Sequence, residues 1–196
     1  MTVRVMLISP APGPALRAAR FDDDAPLDEA AVRRAGEAAG ALPRGARAFS
    51  APSRRCLQTA AALGLDPAAE PALRDLEAGC WRGRSLEEVA AGEPEAVAAW
   101  LADPGAAPHG GETLLTLIAR VGAWLEDRVS GDGGRVLAVA DPAVIRAAAV
   151  HALGLPPQVF WRLDVPPLTL TELSGRAGRW NLRCGRPLTA SGPPLD

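Results

Sequence analysis

Two charged side chains stand where a fold of alternating strands and helices would collect reactive groups. Asp141 directly follows residues 136–140, a short apolar run that is typical of a buried strand. Arg55 lies near the start of a predicted helix, residues 52–63, whose outward-pointing N–H groups favour an anion, although an arginine here could also simply face solvent. Ligands of mostly parallel sheets bind at the carboxyl ends of the strands, so we expect Asp141 to face a binding site.

A second carboxylate, Asp75, lies in the turn-rich segment 73–85. Asp75 and Asp141 could serve as a general acid and a general base if their surroundings separate their pKa values. Asp141 also precedes a predicted helix over residues 142–153, so its carboxylate could accept the free N–H groups of that helix. We predict this capping role, which does not exclude a contact between Asp141 and a ligand.

The hydrophobic pattern places these residues among alternating strands and helices. The first strand leads into residues 10–28, which mix Pro, Gly, Arg and Asp without periodicity and predict a long loop. Asp28 is predicted to cap the helix that follows. The other predicted elements are strands over 3–9 and 47–50, helices over 29–42, 86–91, 94–102 and 112–129, a short element over 159–163, and a hairpin of 168–174 with 179–183.

The length and the end of the chain predict its domain organisation. A chain of 196 residues suits one domain with a sizeable core, which we assign to residues 1–183. Residues 184–196 contain several Pro and Gly and are predicted to form a disordered tail.

Four segments together resemble the histidine phosphatase, or phosphoglycerate mutase-like, superfamily. In chain order they are S-A-P-S-R-R-C-L-Q-T-A, L-R-D-L-E-A-G-C-W-R-G-R-S, P-H-G-G-E-T and V-A-D-P-A-V-I-R-A-A-A-V-H-A-L-G-L-P, and the resemblance covers nearly the whole chain. It implies an α/β fold: a three-layer α/β/α sandwich with a mostly parallel central sheet and a C-terminal antiparallel hairpin.

The resemblance also implies which residues should form the site. The family ends its first strand with Arg-His-Gly or Arg-His-Ala, where the histidine becomes phosphorylated, and carries a second histidine at the end of a later strand. Here Ser9 stands at the arginine, Pro10 at the nucleophilic histidine and Asp141 at the second histidine, while Arg55 and Asp75 match the retained arginine and acid. Ser9, Arg55, Asp75 and Asp141 are therefore expected to converge on one cleft.

The remaining candidates have weaker support. His109 could lie at the rim of the pocket, as its loop does in the family, or be an exposed loop residue, whereas His151 is expected to pack between elements. Cys56 and Cys80 are expected to be buried and inert, and Trp81 to be a packing residue. Arg17 or Arg20 could restore part of the positive field that the missing histidines and arginine would supply.

Composition excludes several classes of function. A net charge of −2 and a pI near 5.8 provide no basic surface for nucleic acid, and no apolar run approaches the roughly 20 residues of a membrane span. Three cysteines without a C-x-x-C pair predict reduced thiols and a cytoplasmic protein. No metal-binding spacing is present, we expect no cofactor, and whether the chain forms a homodimer stays open.

Three functions remain. The first is a catalytically inactive member of the fold that binds a small molecule or a protein partner in the former active-site cleft. The second is an enzyme in which Asp75 and Asp141 act as acid and base while Arg55 orients a carboxylate-bearing substrate. The third is a residual phosphatase or mutase. We predict the first, because a proline can supply neither a nucleophile nor a hydrogen-bond donor in place of the histidine.

Overall fold

The structure, a computed structural model, describes residues 2–43, 45–130, 134–176 and 178–189. These residues form strands β1 (Val3–Ile8), β2 (Arg47–Ser50), β3 (Ala68–Ala69), β4 (Gly134–Val139), β5 (Thr169–Arg176) and β6 (Arg179–Pro187). The helices are α1 (Pro14–Arg17), α2 (Glu29–Glu37), α3 (Arg54–Ala62), α4 (Leu86–Gly92), α5 (Pro94–Ala102), α6 (Leu114–Ser130) and α7 (Pro142–Leu153).

The six strands form one sheet in the order β3-β2-β4-β1-β5-β6. Strands β1, β2, β3 and β4 pair in parallel, whereas β5 pairs antiparallel with both β1 and β6. Residue Val139 of β4 is in register with Ile8 of β1 and with Ser50 of β2, so three parallel strands end side by side. The segments that follow these strands therefore start at one edge of the sheet.

Helices cover both faces of this sheet. The last four residues of β1 and of β4 are buried whichever face they point to. Helices α6 and α7 pack against each other, and α2 and α3 form a second pair. The predicted three-layer α/β/α sandwich, with a mostly parallel sheet and a C-terminal hairpin, is confirmed.

Several local predictions hold and others need adjustment. Helix α7 has the predicted bounds and ends at Gly154, whose positive φ of 60° suits a residue without a Cβ atom. Asp28 accepts a hydrogen bond from the Ala31 N–H and so caps α2. That helix ends at Glu37 instead of residue 42, because a 3₁₀ turn over Ala39–Ala41 follows it.

The ends of the chain differ from the prediction in one respect. Strand β6 continues to Pro187, so the first residues of the expected tail pair with β5. Residues 190–196 lie outside the described residues. Among the described residues, no helix has both the length and the apolar character to cross a membrane.

Candidate functional site

A cluster of four charged side chains forms where the parallel strands end. Arg55, in the first turn of α3, donates from Nε to the Asp141 carboxylate at 2.5 Å, and Asp141 lies between β4 and α7. Its Nη1 reaches Asp22 Oδ1 at 2.9 Å and its Nη2 reaches Asp75 Oδ2 at 2.7 Å. One guanidinium thus contacts three carboxylates, and only 11% of its side chain is exposed.

The predicted capping role of Asp141 is wrong. Asp141 occupies the N-cap position of α7, but its side chain accepts no hydrogen bond from that helix. The carboxylate is fully buried and faces α3, where it accepts hydrogen bonds from Arg55 Nε and Ser53 Oγ. A charge-assisted bond to a guanidinium is stronger than a bond to a neutral N–H, so the more distant partner prevails.

The crowding of carboxylates shifts the pKa values in the cluster. Burial, followed by the charge of Asp141, raises the pKa of Asp75 to about 7 even though Arg55 pulls the other way. Burial also raises the pKa of Asp22. Burial disfavours the charged form of Arg55, but attraction by Asp141, Asp75 and Asp22 outweighs it and raises the pKa of the guanidinium. Arg55 therefore stays charged, and Asp75 can exchange a proton near neutral pH.

Sequence reasoning missed Asp22, which lies in the loop between α1 and α2. Its neighbour Phe21 packs against the rings of Trp81 and Trp100, with centroids 5.5 and 5.7 Å away. Asp24 accepts a hydrogen bond from the Arg54 N–H, which fixes the other side of the loop. The run of three aspartates at 22–24 was the available signal, but only tertiary packing shows that one of them reaches Arg55.

Arg55, Asp22 and Asp75 of this cluster line a cleft of about 210 Å³, whereas Asp141 is fully buried and is not part of the lining. Much of the rest of the lining is apolar. Pro10, the residue at the expected position of the nucleophile, lines the cleft. A ligand in the cleft would therefore meet an unreactive proline ring at that position. The other lining residues include Arg20, Phe21, Trp100, Arg146, Phe160 and Trp161.

Ser9 and His109 lie elsewhere than we expected. Ser9 is fully buried, and its hydroxyl donates to the Pro166 carbonyl at 2.5 Å and accepts from the Thr169 N–H at 3.0 Å, so it joins β1 to the segment before β5. His109 is 2% exposed and packs edge-on against Trp81 and Trp100. Neither side chain is among those that line the cleft. Arg55 contacts both Asp75 and Asp141, but of these three residues only Arg55 and Asp75 line the cleft.

The secondary candidates behave mostly as packing residues. Trp81 is fully buried, and His151 contacts Glu126 of α6 through Nε2 at 3.1 Å. Cys56 is buried, but Cys80 is exposed, contrary to expectation. Of the two arginines proposed to restore the positive field, Arg20 lines the cleft and donates to the Gly83 carbonyl. Arg17 instead pairs with Asp28 on the surface.

The arrangement limits the chemistry that the cleft can support. The two histidines of the chain are His109 and His151, and both lie outside the cleft lining. Within the described ranges, no three His, Cys, Asp or Glu side chains are placed to hold a metal ion. What the cleft offers is the guanidinium of Arg55 with its three carboxylates, the further arginines Arg20 and Arg146, a carboxyl group that titrates near neutrality, and an apolar wall.

Comparison with known proteins agrees with the fold. The sequence profile of the histidine phosphatase superfamily (branch 1) matches residues 15–185. The "Bifunctional protein Rv2228c" of Mycobacterium tuberculosis is 32% identical over 156 residues, which are 74% of this chain and 43% of that protein. The "Glucosyl-3-phosphoglycerate phosphatase" of Mycolicibacterium vanbaalenii is 35% identical over 116 residues, 53% of this chain and 51% of that protein. The chain thus spans about half the length of these curated relatives.

A solved structure extends the similarity across the whole fold. The native mycobacterial glucosyl-3-phosphoglycerate phosphatase Rv2419c superimposes with a TM-score of 0.82 at 25% identity, covering 95% of this chain and 100% of that one. The chain therefore shares its backbone fold with a protein that is named as a phosphatase.

Proposed function

The chain belongs to the histidine phosphatase superfamily, and from that premise we propose that it has lost phosphohistidine chemistry and binds a small molecule in the former active-site cleft. The observation that carries the proposal is the Arg55 cluster. The one arginine retained from the expected anion site has each edge of its guanidinium engaged by Asp22, Asp75 or Asp141.

Covalent catalysis lacks its nucleophile. Pro10 lines the cleft at the end of β1, where the family resemblance places the phosphorylated histidine. A proline ring has neither a lone pair available for attack nor a proton to give. Asp141 stands at the second histidine and is an anion without the proton-donor role of an imidazolium. Both partners of the reaction are therefore replaced by residues that cannot perform it.

The charge of the cluster also opposes a phosphate ligand. A unit charge pair about 4 Å apart interacts by about 4 kcal/mol at an effective dielectric constant of 20. A phosphomonoester dianion next to Arg55 would gain one such attraction and meet repulsion from the surrounding carboxylates. Arg55 would have to exchange Asp22 or Asp75 for the phosphate, and burial makes that exchange costly.

The test is an assay for phosphatase activity. We expect no turnover of p-nitrophenyl phosphate, and none of glucosyl-3-phosphoglycerate, the substrate in the name of the mycobacterial relatives. We also expect no phosphohistidine after incubation with labelled phosphomonoester. Turnover that is retained through purification and disappears in Arg55→Ala would overturn the proposal. A matched variant, Arg33→Gln on the exposed side of α2, controls for nonspecific effects of losing an arginine.

A second function, acid/base catalysis, is favoured by one observation. Asp75 lines the cleft, and its pKa is raised to about 7, which is the range in which a carboxyl group can both accept and donate a proton at neutral pH. Carboxyl-carbon NMR of the labelled protein measures this pKa directly. A midpoint near 7 supports the acid/base function, whereas a midpoint near 4 removes its basis and leaves the binding function.

A further inference from the structure

Arg146 is a second arginine of the cleft and differs from Arg55 in having no anionic partner. It lies on the second turn of α7, and its side chain lines the cleft. Its Nε is buried and has no hydrogen-bond partner among the described residues. Among the described residues, no carboxylate forms an ion pair with its guanidinium. A buried donor without an acceptor costs free energy, so such donors in native proteins call for an explanation.

Aromatic side chains surround this guanidinium. The Arg146 Cζ atom lies 5.7 Å from the centre of the Phe160 ring. Phe160 is in turn packed edge-on against Trp161, and Trp161 against Trp100, with centroids 4.8 and 4.3 Å apart. All three residues line the cleft, but Phe160 and Trp100 are 1% and 7% exposed, so Trp161 offers most of the accessible aromatic surface. The wall thus presents a cation beside an aromatic cluster.

The guanidinium remains a cation in this setting. Burial lowers its pKa, while Asp164 and Asp75 raise it from beyond ion-pair distance. Guanidinium groups start from a pKa above 12, so Arg146 keeps its charge at neutral pH. Asp75 repels a bound anion only weakly near neutral pH because its own pKa is raised to about 7.

Size and charge together restrict the ligand. Sites for drug-sized ligands enclose about 300–1,000 Å³, so a cleft of about 210 Å³ suits a smaller molecule, such as one ring with a short side chain. Arg55 is already neutralised, which leaves the half-buried Arg146 for one negative charge. A second charge on the ligand would be repelled by Asp22, which also lines the cleft.

We propose that the cleft binds a small amphipathic monocarboxylate whose anionic group pairs with Arg146 and whose planar apolar body lies against Trp100, Phe160 and Trp161. This inference rests on the proposed binding function and specifies its ligand class. In this proposal Arg146 of α7 binds the anion, and Arg55 of α3 no longer does. A carboxylate fits because its two oxygens match the planar donors of a guanidinium.

The experiment uses four probes of defined chemistry. 3-Phenylpropionate carries both features, 3-phenylpropionamide removes the charge, propionate removes the ring, and phenyl phosphate replaces the carboxylate by a dianion. Tryptophan fluorescence reports binding because Trp100 and Trp161 line the cleft. We expect 3-phenylpropionate to bind at least about tenfold more tightly than each of the other three probes.

Variants assign this preference to Arg146. Arg146→Gln should reduce the affinity for 3-phenylpropionate by at least about tenfold and leave that for the amide unchanged, and Arg146→Lys should retain part of the preference. Arg33→Gln, with its side chain on the exposed surface of α2, should behave as wild type. Circular dichroism and the melting temperature confirm that each variant is folded.

Each contrary outcome is specific. Equal affinity for the acid and its amide, no binding of any probe, or an unchanged preference in Arg146→Gln overturns the inference. Tightest binding of phenyl phosphate without hydrolysis overturns it as well. Failure of the proposed function gives a different result, which is hydrolysis of p-nitrophenyl phosphate by the wild-type protein.

Discussion

Two buried arginines of this protein, Arg120 and Arg55, are equally shielded from solvent but differ in their partners. Each side chain is 11% exposed. Arg120, on α6, forms a two-point ion pair with Glu112, with distances of 3.0 and 2.6 Å, and also donates to the backbone carbonyls of Ala72 and Arg74. Arg55 donates to three different carboxylates. Arg120 meets a single carboxylate, which Arg74 also contacts, whereas Arg55 meets three carboxylates.

The difference in partners separates a structural ion pair, at Arg120, from the charged cluster beside the cleft, at Arg55. Arg120 has one carboxylate and neutral carbonyls, which satisfy its donors and hold the segment before Asp75 against α6. Three carboxylates surround Arg55, and burial, assisted by the charge of Asp141, raises the pKa of Asp75 and of Asp22. Perturbed pKa values of this kind cluster at functional sites. Removing one carboxylate beside Arg120 and one beside Arg55 tests whether the two networks differ in this way.

The largest effect on stability should come from the network around Arg120. Glu112→Gln leaves the buried charge of Arg120 without its anion, and breaking a buried pair in this way costs about 3–5 kcal/mol of the free energy of unfolding. Urea unfolding measures the loss. Arg74→Gln is the matched control, because Arg74 pairs with the same Glu112 from a half-exposed position and should cost under about 1 kcal/mol. Equal losses from the two variants would contradict the structural role assigned to Arg120.

The next effect is a dependence of stability on pH that originates in the burial of Asp75 close to Asp141. The folded protein raises the pKa of Asp75 from its ordinary 3.8 to about 7, so between these values the native state binds more protons than the unfolded chain. The contribution of Asp75 to stability is therefore complete below about pH 4 and is lost as the pH rises through 7. Its slope is at most about 1.4 kcal/mol per pH unit.

The measurement is the difference between two proteins. Wild type and Asp75→Asn are unfolded in urea at pH values from 4 to 8 (about one unit apart), so that the contributions of other groups cancel. We expect wild type to lose stability relative to the variant as the pH rises. A difference that is constant across this range would mean that Asp75 titrates normally and that the cluster does not perturb it.

The sequence located some site residues that follow a strand or begin a helix, although it did not specify their contacts. Asp141 and Arg55 could be located because parallel strands and their following turns share one edge of the sheet. Asp75 was placed by its family-like segment. The cap assigned to Asp141 was wrong because local spacing does not reveal a partner 86 residues away in the chain.

Residues whose position depends on loop packing could not be predicted in this way. Asp22 reaches Arg55 because Phe21 is held among tryptophans, and nothing in the local sequence specifies that contact. Ser9 was expected in the cleft, but its hydroxyl turns to the Pro166 carbonyl because the preceding strand pairs with β5. Arg146 stands in the V-I-R segment that supports the family resemblance, and its lack of a partner is visible only in three dimensions.

A smaller effect on stability is expected from removing one of the three carboxylates around Arg55. Asp22→Asn should change the free energy of unfolding by less than about 1 kcal/mol, since Asp75 and Asp141 still neutralise Arg55. It should also let phosphate raise the melting temperature, because Nη1 of Arg55 loses its anionic partner. Asp23→Asn, in the same loop, is the control. A loss as large as that of Glu112→Gln would show that all three carboxylates are needed for folding.

The central claim is that the cleft has lost its preference for phosphate, and a melting series of the wild-type protein with phosphate tests it most directly. A ligand at 100 times its dissociation constant stabilises a fold by about 2.7 kcal/mol, which at roughly 2–4 °C per kcal/mol is a rise of several degrees. We predict no saturable rise for wild type, and a rise for the protein with Ser9→Arg, Pro10→His and Asp141→His. A saturable rise of several degrees in the wild-type protein would contradict the account.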